Sequence, residues 1–465
     1  MITFSDVHFK SGDELTDRLF NEALIKCEQN IASFGGRNVL VEGAGYEKIW
    51  LETQPMGGRM YAKKNIETAL NNQLLFMEYQ RDDGRIPGSI AVIDGSVTPQ
   101  FNKFQGFCFP EPALDMYFLV NPGDDYLGRL YECLEKFDDY LWKNRDSDND
   151  GCLESWCKYD TGEDNALRYG DAPDGWSEEY PPEGCSVVPM ASLDVMSYSY
   201  SCRKTLSRIA YIKGLEDTGD AWASKAGSVR AKIREYLWDP DARICFDRDN
   251  RHVPRKVICH NTLRAMYWGS IDRDMAAKFV ETHLLNEKEF WTYMPLPSVS
   301  VSDPLFRNEP SNNWSGQCEA LTYQRAISAL ENYGYGSLIP YLGRKLFEAI
   351  GTDCRFVQQY DPFSGQPSLG AESGGRDGYG PAMLAVMEYT AAMHGVRRKA
   401  HNLIWGCLQG TSSEYEQLLG SDSYRICTGH DGSSAYINGK KIFDTHKNVS
   451  IVTDMNGNVL KVTDL

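Results

Sequence analysis

Between Arg145 and Asp171 the chain reads RDSDNDGCLESWCKYDTGEDNALRYGD, which is dense in carboxylates and holds a second arginine, Arg168, near its end. Three chemistries fit such a stretch. It could hold a cation, close turns by bonding carboxylates to nearby amides, or carry a proton-donating acid on a loop. Asp146, Asp148, Asp150 and Gly151 stand at the first, third, fifth and sixth positions of a calcium loop, but the twelfth, where a bidentate glutamate belongs, is Cys157. That weakens the cation reading and favours a turn closed by aspartates. Cys152 and Cys157 are the nearest pair among the 13 cysteines, and no second pair or flanking histidine completes a zinc set.

The sequence lacks GxGxxG, GxxxxGK[ST], HExxH and GxSxG patterns, and its 8 histidines are dispersed. Nucleotide, zinc-protease and serine-hydrolase chemistries have no support, while a histidine-based isomerase stays open. What remains is carboxylates and aromatics on loops. The aromatic share is 12%, with 10 Trp and 26 Tyr, and such rings serve cores and sugar clefts alike. A net charge of −17, with RRKAH at 397–401 as an isolated basic stretch, argues against nucleic acid or an anionic membrane as partner. The first residues lack the basic-then-apolar layout of a secretory leader, and no run of eighteen apolar residues occurs. An odd number of scattered cysteines suits reduced thiols, so the expected location is cytoplasmic.

The elements that must position these loops are mostly helical from about 60 to 395. Ile66, Leu70, Leu74 and Met77 share a face, as do Leu127, Leu130, Leu134, Phe137 and Leu141, and Trp222, Ala226, Val229, Ile233 and Leu237. Further helices are expected at 14–32, 193–213, 273–285, 317–333, 338–350 and 381–394. Between helices lie long loops at 81–112, 143–190, 239–260 and 286–316, of the kind that carry function. After Gly395 the pattern turns to short β runs, with hairpin signals at Asn438-Gly439 and Asn456-Gly457. Two domains are expected: 1–398, helical with an N-terminal extension, and 399–465, small and β-rich.

Several motifs in order resemble inverting glycosidases of family 63, the related mannosylglycerate hydrolases and, more distantly, family 37 trehalases. The acidic segment is similar to their "RDxDxDGLxE … ESGxDNSPRxD", with Asp160, Gly162, Asp164, Asn165 and Arg168 at the matching positions. EYQRDDGRIPGS (78–89), YMPLPSVSVSDPLF (293–306), NNWSGQCEALTYQRAISALENYG (312–334), FVQQYDPFSGQPS (356–368) and DGYGPAML (377–384) resemble further motifs of the group. The resemblance implies an (α/α)6 toroid of six helical hairpins, mainly α, followed by the β-rich appendage. It also implies an inverting glycoside hydrolase acting on a small glycoside or oligosaccharide, without cofactor or metal, and with Asp164 as general acid. Inversion needs a protonated carboxyl and an ionised one roughly 6.5–9.5 Å apart. Crowding by Asp160 and Glu163 would raise the pKa of Asp164, while Arg168 would oppose this unless it faces Asp160 or substrate.

Two positions depart from the family. Its general base is the glutamate of "FxENYxP", where this sequence has Gln358, and a carboxamide cannot take a proton from water. The base is then relocated, with Glu372 preferred and Asp377 the other nearby acid; or the position is altered so as to trap substrate; or no base is needed. The last case points to a glycoside phosphorylase or a lyase, and outright loss of the base to a sugar-binding protein. The early "MWDxFF" segment has PMGGRMYAKKN as its nearest counterpart, which puts Arg59 and Tyr61 where an Asp holds sugar hydroxyls. Arg59 would suit an anionic substrate, or else pair with an acid such as Glu52. Tyr159, Trp314 and Gln317 are expected around the reacting sugar, Tyr360 and Tyr379 beside Gln358, and Trp176 with Trp291 and Tyr293 as subsite walls or core aromatics. Oligomeric state is not legible in these residues.

Overall fold

A helix that lays one stripe on a core hides apolar residues every three or four positions, and Leu127, Leu130, Leu134, Phe137 and Leu141 all lie buried along one helix. In a computed structural model describing residues 1–310, 314–368 and 375–465, that helix is one of twelve. They are α1 (Glu14–Gln29), α2 (Gln54–Tyr61), α3 (Ile66–Glu78), α4 (Pro110–Val120), α5 (Asp124–Asn144), α6 (Leu193–Ile212), α7 (Glu216–Lys232), α8 (Asn261–Trp268), α9 (Arg273–Phe279), α10 (Ala320–Tyr333), α11 (Ile339–Ile350) and α12 (Gly380–His394).

The helices pack in two sets. α2 contacts α4, α4 contacts α6, α6 contacts α8, α8 contacts α10, α10 contacts α12, and α12 returns to α2. Each of these six also packs on a partner: α2 on α3, α4 on α5, α6 on α7, α8 on α9, α10 on α11 and α12 on α1. Position in this arrangement decides composition. Every residue of α8 and almost every residue of α12 is buried, whereas α7 buries one stripe and exposes the rest.

The amphipathic helices expected at 14–32, 193–213, 273–285, 317–333, 338–350 and 381–394 are all present, most of them with trimmed ends. α2, α4 and α8 were not foreseen, and all three belong to the inner set. α2 and α8 are only 8 residues long and α4 only 11, too short for an apolar repeat to stand out from its surroundings. The loop expected over 81–112 also holds a hairpin, Ser89–Ile93 paired with Ser96–Gln100.

The C-terminal region is strand-rich, and both hairpins form where Asn-Gly predicts, with Asn438 and Gly439 at positive φ as a tight turn requires. One sheet orders Val396–Lys399, Asn402–Cys407, Val449–Asp454 and Val459–Asp464. The other orders Ser5–Ser11, Ser413–Leu419, Asp422–Thr428, Ser433–Ile437 and Lys440–Thr445, so its edge strand comes from the start of the chain. Trp405 of the first sheet is fully buried and meets Phe443 of the second edge-to-face, with ring centroids 5.9 Å apart.

Candidate active site

The inner helices set up opposite electrostatics at their two ends. Thr53 and Tyr379 precede the first turns of α2 and α12, Leu321 sits in the first turn of α10, and all three line one cavity of about 380 Å³. Helix N-termini carry partial positive charge and unpaired N–H groups, which favour carboxylates. Glu42, Glu52 and Asp164 line this cavity together with Tyr46, Trp50, Gln105, Gly162, Trp314 and Gln358.

A larger cavity of about 990 Å³ lies toward the other end, where the C-terminal turn of α2 approaches the strand-rich region. It is lined by Arg59, Lys63, Arg397, Arg398 and Lys399, the cations that helix C-termini favour. Most of these are already matched, Lys63 with Glu388, Arg397 with Glu331 and Lys399 with Glu111. Size alone therefore does not mark the reactive site.

Asp164 is held by its loop. Its carbonyl accepts from the Trp314 amide at 3.1 Å, and its Oδ1 lies 3.5 Å from the Gln105 amide nitrogen Nε2. The neighbouring acids, expected to crowd it, face elsewhere. Asp160 is fully buried, taking bonds from Arg145 at 2.6 Å, the Trp156 amide at 2.8 Å and the Phe104 amide at 3.1 Å. Burial alone would raise its pKa, but these partners together hold it below the usual carboxylate range. Glu163 turns under the loop to Arg168, and to His260 Nε2 at 2.9 Å.

Arg168, expected beside Asp164 or substrate, is likewise buried beneath the loop and pairs with Glu163 and Asp247. Arg264 on α8 meets Asp194 on α6 at 2.8 Å and lies 3.6 Å from both Glu163 and Glu52, while Arg325 on α10 also pairs with Glu52. Three guanidiniums thus tie α6, α8 and α10 to the acid loop and to Glu52. The Glu52 carboxylate rests where Gly106 and Gly162 lack side chains; a Cβ on either would overlap it.

Burial raises both lining glutamates. Burial, reinforced by Glu52 and Asp164 and only partly offset by the Tyr379 hydroxyl, pushes Glu42 up to about 8. Burial raises Glu52 to about 7 against the pull of Arg325 and Arg264. Lys103 lies over the Trp50 ring at 5.1 Å and the Tyr159 ring at 5.0 Å; burial lowers its pKa and the charge of Asp164 counteracts this.

The other expected site residues separate into groups. Trp314, Gln358 and Tyr379 line the cavity; Tyr159 does not, and its ring meets Lys103, which also lies over the cavity residue Trp50. Gln358 accepts from the Tyr46 hydroxyl at 3.0 Å, and the Tyr379 hydroxyl donates to Glu42 at 3.1 Å. Gln317 and Tyr360 are buried beside the site; Gln317 donates to Asn308 and accepts from Ser368. Trp176 bonds the Tyr180 carbonyl at 2.7 Å on an exposed loop. Arg59 and Tyr61 do not line the acidic cavity. Arg59 sits 3.6 Å from Asp115 at the far cavity, because α2 carries it nearly two turns beyond Thr53, and Tyr61 is buried in the core. Glu52 pairs with Arg325 and Arg264, not with Arg59. Glu372 lies outside the described residues.

Glu42, Tyr46, Trp50 and Glu52 were missed as site residues. VEGAGYEKIWLET does interleave acids with aromatics, but it lies in a stretch with no repeating pattern to place it. At the Asp-rich turn, Asp146, Asp148 and Asp150 accept from the amides of Gly151, Asp150 and Cys152. The 13 cysteines are all free.

Residues 49–378, well over half of the chain, match the mannosylglycerate hydrolase MGH1-like glycoside hydrolase domain. The chain belongs to this glycoside hydrolase family. Similar solved structures include the family 63 mannosylglycerate hydrolase of Thermus thermophilus in complex with glucose. Its TM-score is 0.62 at 17% identity, covering 80% of this chain and 99% of that one. The neutral trehalase of Saccharomyces cerevisiae gives 0.54 at 15% identity, covering 77% of this chain and 76% of that one. A sialidase gives 0.72 at 14% identity, covering 97% of this chain but 42% of the sialidase, so this glycoside hydrolase spans less than half of that protein's length. At these identities the likeness is one of fold. Among the described residues, no helix of the chain is long and apolar enough to cross a membrane.

Proposed function

We propose that the chain is an inverting glycoside hydrolase of small glycosides or oligosaccharides, with Asp164 as general acid. The observation that carries this reading is the position of Asp164. The residue matched to the family's acid lines a half-closed cavity with other carboxylates and with Tyr46, Trp50, Trp314 and Tyr379, whose rings suit the C–H faces of a sugar. Asp164 protonates the departing oxygen while a second carboxylate draws a proton from water. Glu372 is the sequence candidate for that second role, and Gln358 would hold substrate by hydrogen bonds.

The closed cycle of contacts from α2 to α12 supports an (α/α)6 toroid, divided near residue 398 from the strand-rich unit. Free cysteines throughout support a reducing, cytoplasmic setting. Lys103 beside the cavity means that substrates with and without a carboxylate both belong in a screen.

The test is a panel of glycosides followed by NMR of the first-formed anomer. Asp164→Asn should lose about 10²–10⁴-fold on alkyl glycosides yet keep most activity on aryl glycosides with good leaving groups. Equal activity of parent and variant on alkyl glycosides, or product of retained configuration, would sink the reading. Turnover that requires phosphate would make the enzyme a phosphorylase instead.

A further inference from the structure

Gln358 is no carboxylate, but carboxylates stand around the cavity that it lines. Of the carboxylates around the cavity, Glu52 is committed to Arg325 and Arg264. Glu319 is completely buried behind it, accepting from Gln359 at 2.8 Å. Glu42 differs from both. It lines the cavity with Asp164, makes no ion pair among the described residues, and receives a single side-chain bond, from Tyr379 to Oε1. Its other oxygen, Oε2, has no such bond.

The backbone around Glu42 is built for placement. Its carbonyl accepts from the Gly380 amide, at the start of α12, at 2.6 Å. Its amide donates to the Lys48 carbonyl at 3.3 Å, and Gly43 and Tyr46 exchange bonds of 3.0 and 2.9 Å that close the loop. Tyr46 then reaches Gln358, and Tyr379 reaches Glu42. Glu42 and Gln358 are therefore held on one wall by two neighbouring tyrosines whose rings meet edge-to-face at 6.3 Å.

We propose that Glu42 is the general base of this hydrolase, standing in for the carboxylate absent at Gln358. The proposal rests on the hydrolase reading above. Water attacks the anomeric carbon, forming a C–O bond, and passes a proton to Glu42 Oε2. The bond to the leaving oxygen breaks, and that oxygen takes the proton of Asp164. Exchange with solvent then deprotonates Glu42 and reprotonates Asp164. Tyr379 orients the Glu42 carboxylate. The titratable groups facing Glu42 are Glu52, Asp164, Tyr46 and Tyr379, and the carboxylates among them make it a stronger base than an ordinary glutamate.

The experiment uses the full chain and the 4-nitrophenyl glycoside that the parent hydrolyses fastest, so that release of the aglycone needs little help from Asp164. Glu42→Gln should lower kcat about 100-fold or more with little change in KM. In Glu42→Ala, sodium azide, which needs no deprotonation to attack, should restore turnover at least tenfold and yield a glycosyl azide, with no such gain in the parent. Retained turnover in Glu42→Gln overturns the proposal. So does a folded but inactive Glu42→Ala that azide does not rescue, or a loss confined to Glu372→Gln. If the Glu42 variants do not fold, the parent decides: its kcat/KM profile should carry a limb near pH 8, and a profile flat from 7 to 9 overturns the assignment. A parent that cleaves no glycoside at all overturns the hydrolase reading and this proposal with it.

Discussion

The Tyr46 hydroxyl donates to the carboxamide oxygen of Gln358 at 3.0 Å. A neutral amide held this way adds no charge to a wall that already carries Glu42, with Glu319 behind it. Gln358→Glu would place a further carboxylate beside these acids. It is expected to leave kcat at or below the parent value, measured as initial rates from pH 5 to 9. A tenfold rise would mean that position 358 is where the reaction wants its base.

The buried guanidiniums should dominate stability. Arg168 has partners in Glu163 and Asp247, and removing it strips the buried Asp247 of its ion pair and leaves Glu163 to His260 and Arg264. Arg168→Met is expected to cost about 3–5 kcal/mol in urea unfolding. Arg168→Lys should recover only part of this, because one ammonium cannot span both carboxylates as the guanidinium fork does. A loss below 1 kcal/mol for Arg168→Met would contradict the network.

Glu42 gives stability a pH dependence of definite sign. Its pKa is raised from 4.5 to about 8 in the folded protein, so the folded state holds a proton that the unfolded chain has released. That contribution is complete below about pH 4.5 and is lost as pH rises through 8. Glu42→Gln removes it, so the variant should gain Tm relative to the parent between pH 6 and 9 and show little gain at pH 4.5. Thermal scans across that range check the sign.

Gly162 has φ +75°, and a Cβ there would overlap the Glu52 carboxylate. Gly162→Ala is therefore expected to lose about 2 kcal/mol or more, from left-handed strain of about 1–2 kcal/mol plus displacement of Glu52. The same shift should lower kcat/KM. A variant as stable and active as the parent would show that Glu52 has room to move.

The outer helices were legible because each shows one face to water. Leu127 to Leu141 in α5 and Trp222 to Val229 in α7 carry the pattern directly. α2, α4 and α8 were not, because helices of 8 to 11 residues hold too few repeats to show it. The family motifs led to Asp164, and Trp314, Gln358 and Tyr379 did reach the same cavity. Arg59 and Arg168 were misplaced for a common reason: a sequence records a charge but not the direction of its side chain. Arg168 points beneath its own loop, and α2 carries Arg59 away from the acids. Glu42 was invisible as a site residue because its partner Tyr379 lies more than 300 residues away.

Ser5–Ser11 forms the edge of its sheet, and among the described residues its one neighbour there is Ser413–Leu419. During synthesis that strand emerges roughly 400 residues before its partner, a wait of about 20–80 s at ordinary elongation rates. For that interval a half-apolar segment with unmet backbone groups must stay soluble, and Asp6, His8 and Lys10 alternate with its buried residues Val7 and Phe9. The seam between Ser5–Ser11 and Ser413–Leu419 is thus a late step. A chain halted before residue 413 would carry this segment open, where quality control could read it as unfinished.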